Sequence, residues 1–335
     1  MNQVQTGQSD DIVQAYQHAA EVGGRAPSVH NTQPWLWYAG RTGLELRADR
    51  SRHLPTADPD GRLLTISCGA ALHHARLALS AAGWAPHVAR LHDPRSDDRL
   101  AWITVAEHAA PSAQDRRLFE EIDIRHTDRR PTVELPVPAE ALALIRQAAA
   151  DEGAGLHWLG QPDLDDLAVA AARANEIGLA DLDQRAEMDY WVGGRRPART
   201  GVPSDAVPER APQTDVPGRD FGHPGTLGVG EGHARSAVYG LLYRPGDGPE
   251  DWLRAGEALS ACWLKATDLG VAVLPLSSVI EVPATREVLR RMLSGVGHPL
   301  LVLRFGLAGP DQAPVPGTPR LPTERVVRPG PFPQP

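Results

Sequence analysis

Helical segments that alternate with short strands, most of them suited to antiparallel pairing, predict an α+β fold. Internal repetition predicts that this fold has two similar halves. Cys68-Gly69-Ala70-Ala71-Leu72 continues to Leu77 and Gly83, and 187 residues later Ala255-Gly256-Glu257-Ala258-Leu259 continues to Leu264 and Gly270. In both copies the last glycine suits a helix C-terminus and a strand-like run follows. An earlier pair of amphipathic helices, residues 13–20 and 142–149, repeats at a spacing of 129. A match in each half favours duplication over coincidence. The spacings differ by 58 residues, so the second half should carry an extra segment of about that size. Residues 191–232, rich in Gly, Pro and Arg with little periodicity, are the candidate, as a lid or a disordered loop.

In chain order, a helix is expected over about 10–23, then a polar loop and strands near 35–39 and 43–48. A long helix over 58–82 leads to strands near 86–91 and 101–107. The second half opens with a helix near 113–123, the arginine-rich stretch 125–130, and a helix over 138–151 that Pro136 and Pro138 help to start. A strand at 155–160 and helices over 162–190 precede the irregular segment. Then follow a strand near 236–243, a helix over 249–269, a strand at 271–274, a helix over 283–294 and a strand at 300–305. The arm 307–335 contains nine prolines and cannot be regular, apart from the apolar piece Arg325-Val326-Val327.

At 335 residues the chain can bury two cores of ordinary size. A net charge of −8 gives no sign of a nucleic-acid or membrane-surface partner. No apolar run is long enough to span a bilayer, and the polar start MNQVQTGQSDD does not read as a secretory signal. Cys68 and Cys262 sit in apolar helical patterns and read as reduced core thiols, so a cytoplasmic location is expected. Lys265 is the only lysine, so any anion site must use guanidinium groups, backbone amides and hydroxyls.

Two polar clusters carry chemistry. Arg25-Ala26-Pro27-Ser28-Val29-His30-Asn31-Thr32-Gln33-Pro34-Trp35 combines prolines that fix the path with small polar groups free to face a ligand, and it occurs once. Arg125-His126-Thr127-Asp128-Arg129-Arg130 places three guanidinium groups and a hydroxyl just past a helix end, which suits a phosphate. The same stretch also reads as a solvated basic run paired with Asp123 and Asp128. Other constellations are weaker. His73 and His74 point about 100° apart on a helix and cannot share one metal, and no metal-ligand spacing is present. Gly228–Gly232 precedes a strand, the wrong order for a dinucleotide fingerprint. Ser28 and His30 lack the nucleophile elbow of hydrolases. Trp35, Trp37, Trp84 and Trp102 read as core, whereas Trp191, beside Gly193-Gly194-Arg195-Arg196, is the tryptophan suited to cover a ligand.

Together the clusters resemble the FMN-dependent nitroreductases. Arg-x-Thr-x-Arg followed by Leu135-Pro136-Val137-Pro138 and an Ala-rich helix is similar to that family's opening. The loop Ala-Pro-Ser-x-x-Asn-x-Gln-Pro-Trp is present with every fixed position kept, but in the other half. Leu269-Gly270-Val271-Ala272-Val273-Leu274-Pro275-Leu276 and the terminal Thr318-Pro319-Arg320-Leu321-Pro322 fit as well. The resemblance covers nearly the whole chain and looks closest to the Acg-like branch, single-chain versions of a nitroreductase dimer. It implies two nitroreductase-like α/β sandwich domains with mostly antiparallel sheets, at 1–111 and 112–335, forming a pseudo-dimer that needs no partner chain and is expected to be a monomer.

The resemblance also implies FMN shared between the halves. Arg125, His126, Thr127 and Arg129 would hold its phosphate and ribityl chain, with Arg320 adding a phosphate contact. Pro27, Ser28, Val29, His30 and Asn31 would meet the ribityl and the ring. The backbone at Leu276, Ser277 and Ser278 falls where the family places an amide near flavin N5. The flavin performs the chemistry, so no side-chain nucleophile is required. NADH or NADPH would supply electrons, and a nitroaromatic or quinone-like small molecule would receive them in a ping-pong cycle. The first half lacks the arginine motif and the second lacks the loop, reading Gly153–Trp158 there, so one composite site is expected. Thr318 replaces a frequent lysine, and residues 191–232 have no counterpart of that size in ordinary nitroreductases. A lid of that size leaves two further readings open, a flavin-sequestering protein with little turnover and a scaffold without cofactor. Arg325-Val326-Val327 should pair with the first half's sheet, as the family's C-terminal arm does.

Overall fold

The computed structural model describes residues 2–108, 110–192, 196–230, 233–309, 315 and 317–330, with the side chains of 2–9, 107 and 108 left aside. Gly193, Gly194, Arg195, Glu231 and Gly232 of the expected insert lie outside the described residues.

The first half contains α1 (Asn2–Gly23), β1 (Trp35–Gly40), β2 (Gly43–Ala48), α2 (Arg62–Ala81), β3 (Trp84–Arg90) and β4 (Arg99–His108). The second contains α3 (Ala113–Ile124), α4 (Ala139–Asp151), β5 (Gly155–Trp158), α5 (Gln161–Ala180), α6 (Leu182–Val192), β6 (Val238–Arg244), α7 (Pro249–Asp268), β7 (Val271–Leu276), α8 (Ser278–Glu281), α9 (Pro283–Met292) and β8 (His298–Leu307). The arm adds α10 (Thr323–Val326) and β9 (Val327–Pro329). Among the described residues no helix is long and apolar enough to cross a membrane.

Two sheets form, ordered β3-β4-β2-β1-β9 and β5-β6-β8-β7. Every pairing is antiparallel except β1 with β9. Reading the second sheet backwards gives β7-β8-β6-β5, the connectivity of β3-β4-β2-β1. The fold is α+β, as the sequence predicts, and the two sheets repeat one plan. Helices α2 and α7 span 62–81 and 249–268, offset by the 187 residues of the sequence repeat. They pack more extensively than any other pair of helices, back to back between the sheets.

The contact between them is reciprocal. A Cβ on Gly69 would lie 2.0 Å from the carbonyl oxygen of Leu253, and a Cβ on Gly256 would lie 2.0 Å from that of Ile66. Glycine is therefore required at both positions for the backbones to approach. One turn further, His73 Nδ1 meets Ser260 Oγ at 2.8 Å, again across equivalent positions.

The sheets differ in their outer faces. β1 alternates buried and half-buried residues, as a sheet with one covered face does. β8 is buried along its whole interior, because α4 and α7 cover one face of its sheet and α5, α8 and α9 cover the other. The added helices α5 and α6, with the irregular chain after them, enter between β5 and β6, where the first half has only the Arg41-Thr42 turn.

Several boundaries differ from expectation. The long helix starts at Arg62 rather than near 58, because Asp58 turns outward from it and caps it, accepting from the amides of Leu63 at 3.0 Å and Leu64 at 2.9 Å. Helix α3 buries Leu118 and Ile122 in the first half's core, although it lies beyond residue 111. In the arm, Arg325 and Val326 form the helical turn α10, where Val326 is buried. Pairing with β1 begins at Val327, opposite Trp37. Residues 196–230 carry no long element, yet Val202, Ala206, Val207 and Phe221 pack with Val192 into a small core of their own.

Candidate functional site

The Pro27–Gln33 loop joins α1 to β1 in a sharply folded path. His30, Asn31 and Gln33 have φ of 46°, 53° and 53°, in the left-handed region that costs non-glycine residues about 1 kcal/mol or more each. A dense set of hydrogen bonds holds them there. Ser28 Oγ accepts from the Gln33 amide at 3.0 Å, and the Val29 amide donates to Ser67 Oγ of α2 at 3.2 Å. Gln33 Nε2 donates to the Arg199 carbonyl at 2.8 Å, while its Oε1 accepts from the Leu321 amide at 2.8 Å. The loop thus ties the insert and the C-terminal arm to the first sheet.

The arginine stretch lies opposite. Thr127 forms a parallel bridge to Val273, and the Asp128 amide donates to the Val273 carbonyl at 3.2 Å, so the stretch continues the edge of the second sheet beside β7. Buried Arg304 of β8 donates to the carbonyls of Asp128 at 3.0 Å and Arg130 at 2.7 Å and fixes its course. The three arginines of the stretch then separate. Arg130 pairs with Asp128 at 2.8 Å. Asp123 pairs instead with Arg25 at 2.9 Å, at the surface. Arg125 and Arg129 turn inward, and the arm brings Arg320 to join them.

Among the described residues, no carboxylate lies within ion-pair distance of Arg125, Arg129 or Arg320. Burial pushes Arg125 down to about 9, with Arg320 adding repulsion. Burial brings Arg129 down to about 10, helped by Arg219, and Arg320 to about 10 as well. All three remain cationic at neutral pH. Arg125 lies over the Trp263 ring, 4.6 Å from its centre, and its Nε has no hydrogen-bond partner. Arg320 is held by the Arg25 carbonyl at 3.2 Å and Asn31 Oδ1 at 3.1 Å. Three converging cations without a counter-charge, Arg125 buried and Arg129 and Arg320 half-buried, are costly unless an anion completes them.

Two cavities share Pro27, Ser28, His30, Thr127 and Arg129. One, of about 460 Å³, contains the converging guanidinium groups together with Asn31, His126 and Thr318. The other, of about 140 Å³, is a mostly apolar slot. Its floor is Leu63 and Ile66 of α2 with Leu259 and Trp263 of α7, and β7 forms one side through Leu274, Pro275 and Leu276, with Ser277 just beyond. Such a pair suits a planar ring joined by a polar tether to an anionic end.

The roof comes from the insert, through Pro208, Pro212, Thr214, Arg219 and Phe221. The Arg129 guanidinium lies 5.5 Å from the centre of the Phe221 ring and Arg129 Nη1 donates to the Ala206 carbonyl at 3.0 Å. Arg219 ion-pairs with Glu281 and donates to Ser277 Oγ at 3.2 Å.

Most residues expected at the site converge on it: Pro27, Ser28, Val29, His30, Thr127, Arg129, Leu276 and Ser277 line the slot, and Asn31, Arg125, His126 and Arg320 line the larger cavity. Three placements depart from expectation. Ser278 faces a third cavity behind the slot. Asn31 uses its side-chain amide as a fastener, donating to the carbonyls of Gly201 at 3.1 Å and Pro319 at 3.0 Å. Trp191 does not cover the slot. It packs on Leu54 and Ala57, and Phe221 stands over the slot instead.

The floor residues and Arg219 were not legible as site residues. Leu63, Ile66, Leu259 and Trp263 follow helical spacing and read as core. Arg219 is one of many arginines in an aperiodic stretch.

A scan against models of protein families finds no match. Individual proteins do match. The chain is 37% identical over 310 residues to "Putative NAD(P)H nitroreductase Rv3131" of Mycobacterium tuberculosis H37Rv, covering 90% of this chain and 88% of the relative. It is 31% identical over 313 residues to "Putative NAD(P)H nitroreductase acg" of the same organism, covering 92% and 93%. Among solved structures, FMN-dependent nitroreductase NfnB of Mycobacterium smegmatis, in complex with NADPH, aligns with 64% of this chain and 98% of its own at 18% identity and a TM-score of 0.41. The identity and coverage shared with the two tuberculosis proteins establish that the chain belongs to their NAD(P)H nitroreductase family.

Proposed function

We propose that the chain binds one FMN between its halves and acts as an NAD(P)H-dependent oxidoreductase of nitroreductase type. The carrying observation is the convergence of buried Arg125 with half-buried Arg129 and Arg320, all without carboxylate partners, in a polar cavity that adjoins an apolar slot. The residues fit the group. The guanidinium groups match a dianionic phosphate, Thr127 and Ser28 match a polyhydroxyl tether, and the Leu63–Ile66–Leu259 floor matches a flat ring. In this reading, residues 1–111 supply the Pro27–Asn31 loop and residues 112–335 supply the arginines, the roof and the arm, and the chain works as a monomer.

FMN, when bound, supplies reversible two-electron chemistry between NADH or NADPH and a nitroaromatic or quinone-like acceptor, donor and acceptor using the slot in turn. The protein's part is placement and exclusion of water. The backbone at Leu276 and Ser277, which lines the slot, would border the reacting edge of the bound group, and the insert would roof the face above it.

That closure favours a second reading, in which the protein sequesters flavin with little turnover. The insert is fastened to the loop by Asn31 and Gln33 and to the arginine stretch by Arg129, leaving about 140 Å³ in the slot.

One experiment separates the readings. Purified protein reconstituted with FMN should absorb near 450 nm and bleach anaerobically with NADH or NADPH. Absence of bound flavin sinks both readings. Bound flavin that neither nucleotide bleaches leaves sequestration. In the same titration Arg125→Ala should weaken FMN binding at least tenfold, the loss of one charge-assisted phosphate contact. Arg41→Ala, 72% exposed at the far surface, should change it less than twofold.

A further inference from the structure

Behind the slot lies a third cavity, of about 60 Å³, enough for several water molecules. Asn175 and Gly178 of α5, Gln184, Arg185, Glu187 and Asp189 of α6, and Ser278 and Glu281 of α8 line it. Arg185 and Asp189 are exposed, so it communicates with solvent. Three residues, His30, Arg219 and Phe221, line both this cavity and the slot and form the partition between them. His30 also borders the arginine cavity, and it is the one described residue common to all three. Its Nε2 is buried and has no hydrogen-bond partner. Its backbone is held in the left-handed region by the fastened loop, so the ring has little freedom to withdraw.

We propose that His30 relays protons between the solvent-connected cavity under α5–α6 and the roofed slot. The proposal rests on the flavin reading and adds to it a route for protons. Reduction of a quinone takes two electrons and two protons. The electron pair and one proton arrive as hydride from the reduced cofactor, which returns to its oxidised form. Both carbonyl π bonds open, each oxygen ends as a hydroxyl, and the second proton comes from solvent through His30. The slot and the third cavity meet at this partition, and the imidazole is the titratable side chain in it that can both accept and donate.

The groups facing it are Arg129 from the arginine stretch, Arg219 and Asp220 from the insert, Glu187 from α6 and Glu281 from α8. Burial, then the guanidinium groups of Arg219 and Arg129, hold the imidazole well below the ordinary histidine range. A relay of this kind stays neutral at rest and passes a proton on without storing it.

The test uses the full chain loaded with FMN, photoreduced without nicotinamide, then mixed anaerobically with menadione in a stopped-flow instrument. His30→Ala is compared with wild type at saturating FMN, because the His30 side chain lines the slot. The variant should slow reoxidation at least tenfold and raise the solvent deuterium isotope effect. Added imidazole, entering through the open cavity, should restore much of the rate. His30→Gln, which keeps size and polarity but cannot relay, should be equally slow and serves if the alanine variant folds poorly. In the flavin-free chain, the ¹⁵N shifts of His30 should report a neutral ring at pH 6 and should move when FMN is added.

Failure of the wild type to bind FMN overturns the flavin reading itself. An unchanged rate in both variants at saturating FMN, no rescue by imidazole, or a His30 ring protonated at pH 7 overturns the relay alone, and a wild type unreactive toward menadione overturns the relay together with quinone reduction.

Discussion

Asp58 shows how one residue ties local chemistry to the site. Its carboxylate caps α2 through Leu63 and Leu64, and the adjoining Thr56 and Ala57 amides donate to Glu187 of α6 at 3.1 and 3.0 Å. Burial pushes Asp58 up to about 6, outweighing the two amides and the nearby cations that favour its charge. The folded chain therefore binds the proton more tightly than the unfolded one, and this contribution to stability is full below about pH 4 and lost as pH rises through 6. A shift of about two pH units corresponds to about 3 kcal/mol. Asp58→Asn should accordingly gain on wild type between pH 4 and 7 in chemical denaturation, and parallel profiles across that range would count against a buried, titrating Asp58. At this scale the sequence was legible where a motif concentrates polar types, as in Pro27–Asn31 and Arg125–Arg129. It was opaque where one type serves two ends: by composition Arg125, Arg129 and Arg130 read alike, the family motif alone singled out Arg125 and Arg129, and the fold pairs Arg130 with Asp128.

At the scale of elements, the crossing of α2 and α7 sets the slot's floor, since Leu63, Ile66, Leu259 and Trp263 stand on these two helices. Gly69→Ala would drive a methyl into the Leu253 carbonyl, and overpacking of backbone against backbone should cost about 3 kcal/mol in a denaturant titration. Gly228→Ala, with nothing within 4 Å of its new Cβ, should stay within about 0.5 kcal/mol of wild type. Equal losses would remove the close crossing as the reason for glycine. Periodicity made both helices legible, and the 187-residue repeat matched them to each other before any coordinates did. The insert was legible only as a gap in the pattern. Its order comes from a small core around Val202, Val207 and Phe221 and from bonds to a distant loop, neither of which leaves a period in the sequence.

At the scale of the whole molecule, the two sheets and the helices α2 and α7 packed between them would place the proposed flavin where the halves meet, and the expected stoichiometry is one FMN per chain. Native mass spectrometry of the reconstituted protein should give a single 36.1 kDa chain with one flavin, and two flavins per chain would contradict the loss of the mate site. Thermal unfolding should shift upward with FMN concentration, because the ligand meets cations that the folded protein gathers without a counter-charge. The repeat and both cluster positions were visible in the sequence, whereas the meeting of Arg320 with Arg125 was implied only by the family resemblance, because 195 residues separate them and no local pattern links them. The meeting of His73 with Ser260 has a consequence of another kind. In an assembly of two identical chains, every position near the twofold axis faces its own copy, so any change there is made twice and must suit itself. Within one chain the two sides are encoded separately. A histidine can then answer a serine, and a loop kept on one side can meet arginines kept on the other. Each half is free to specialise while its counterpart keeps the contact intact.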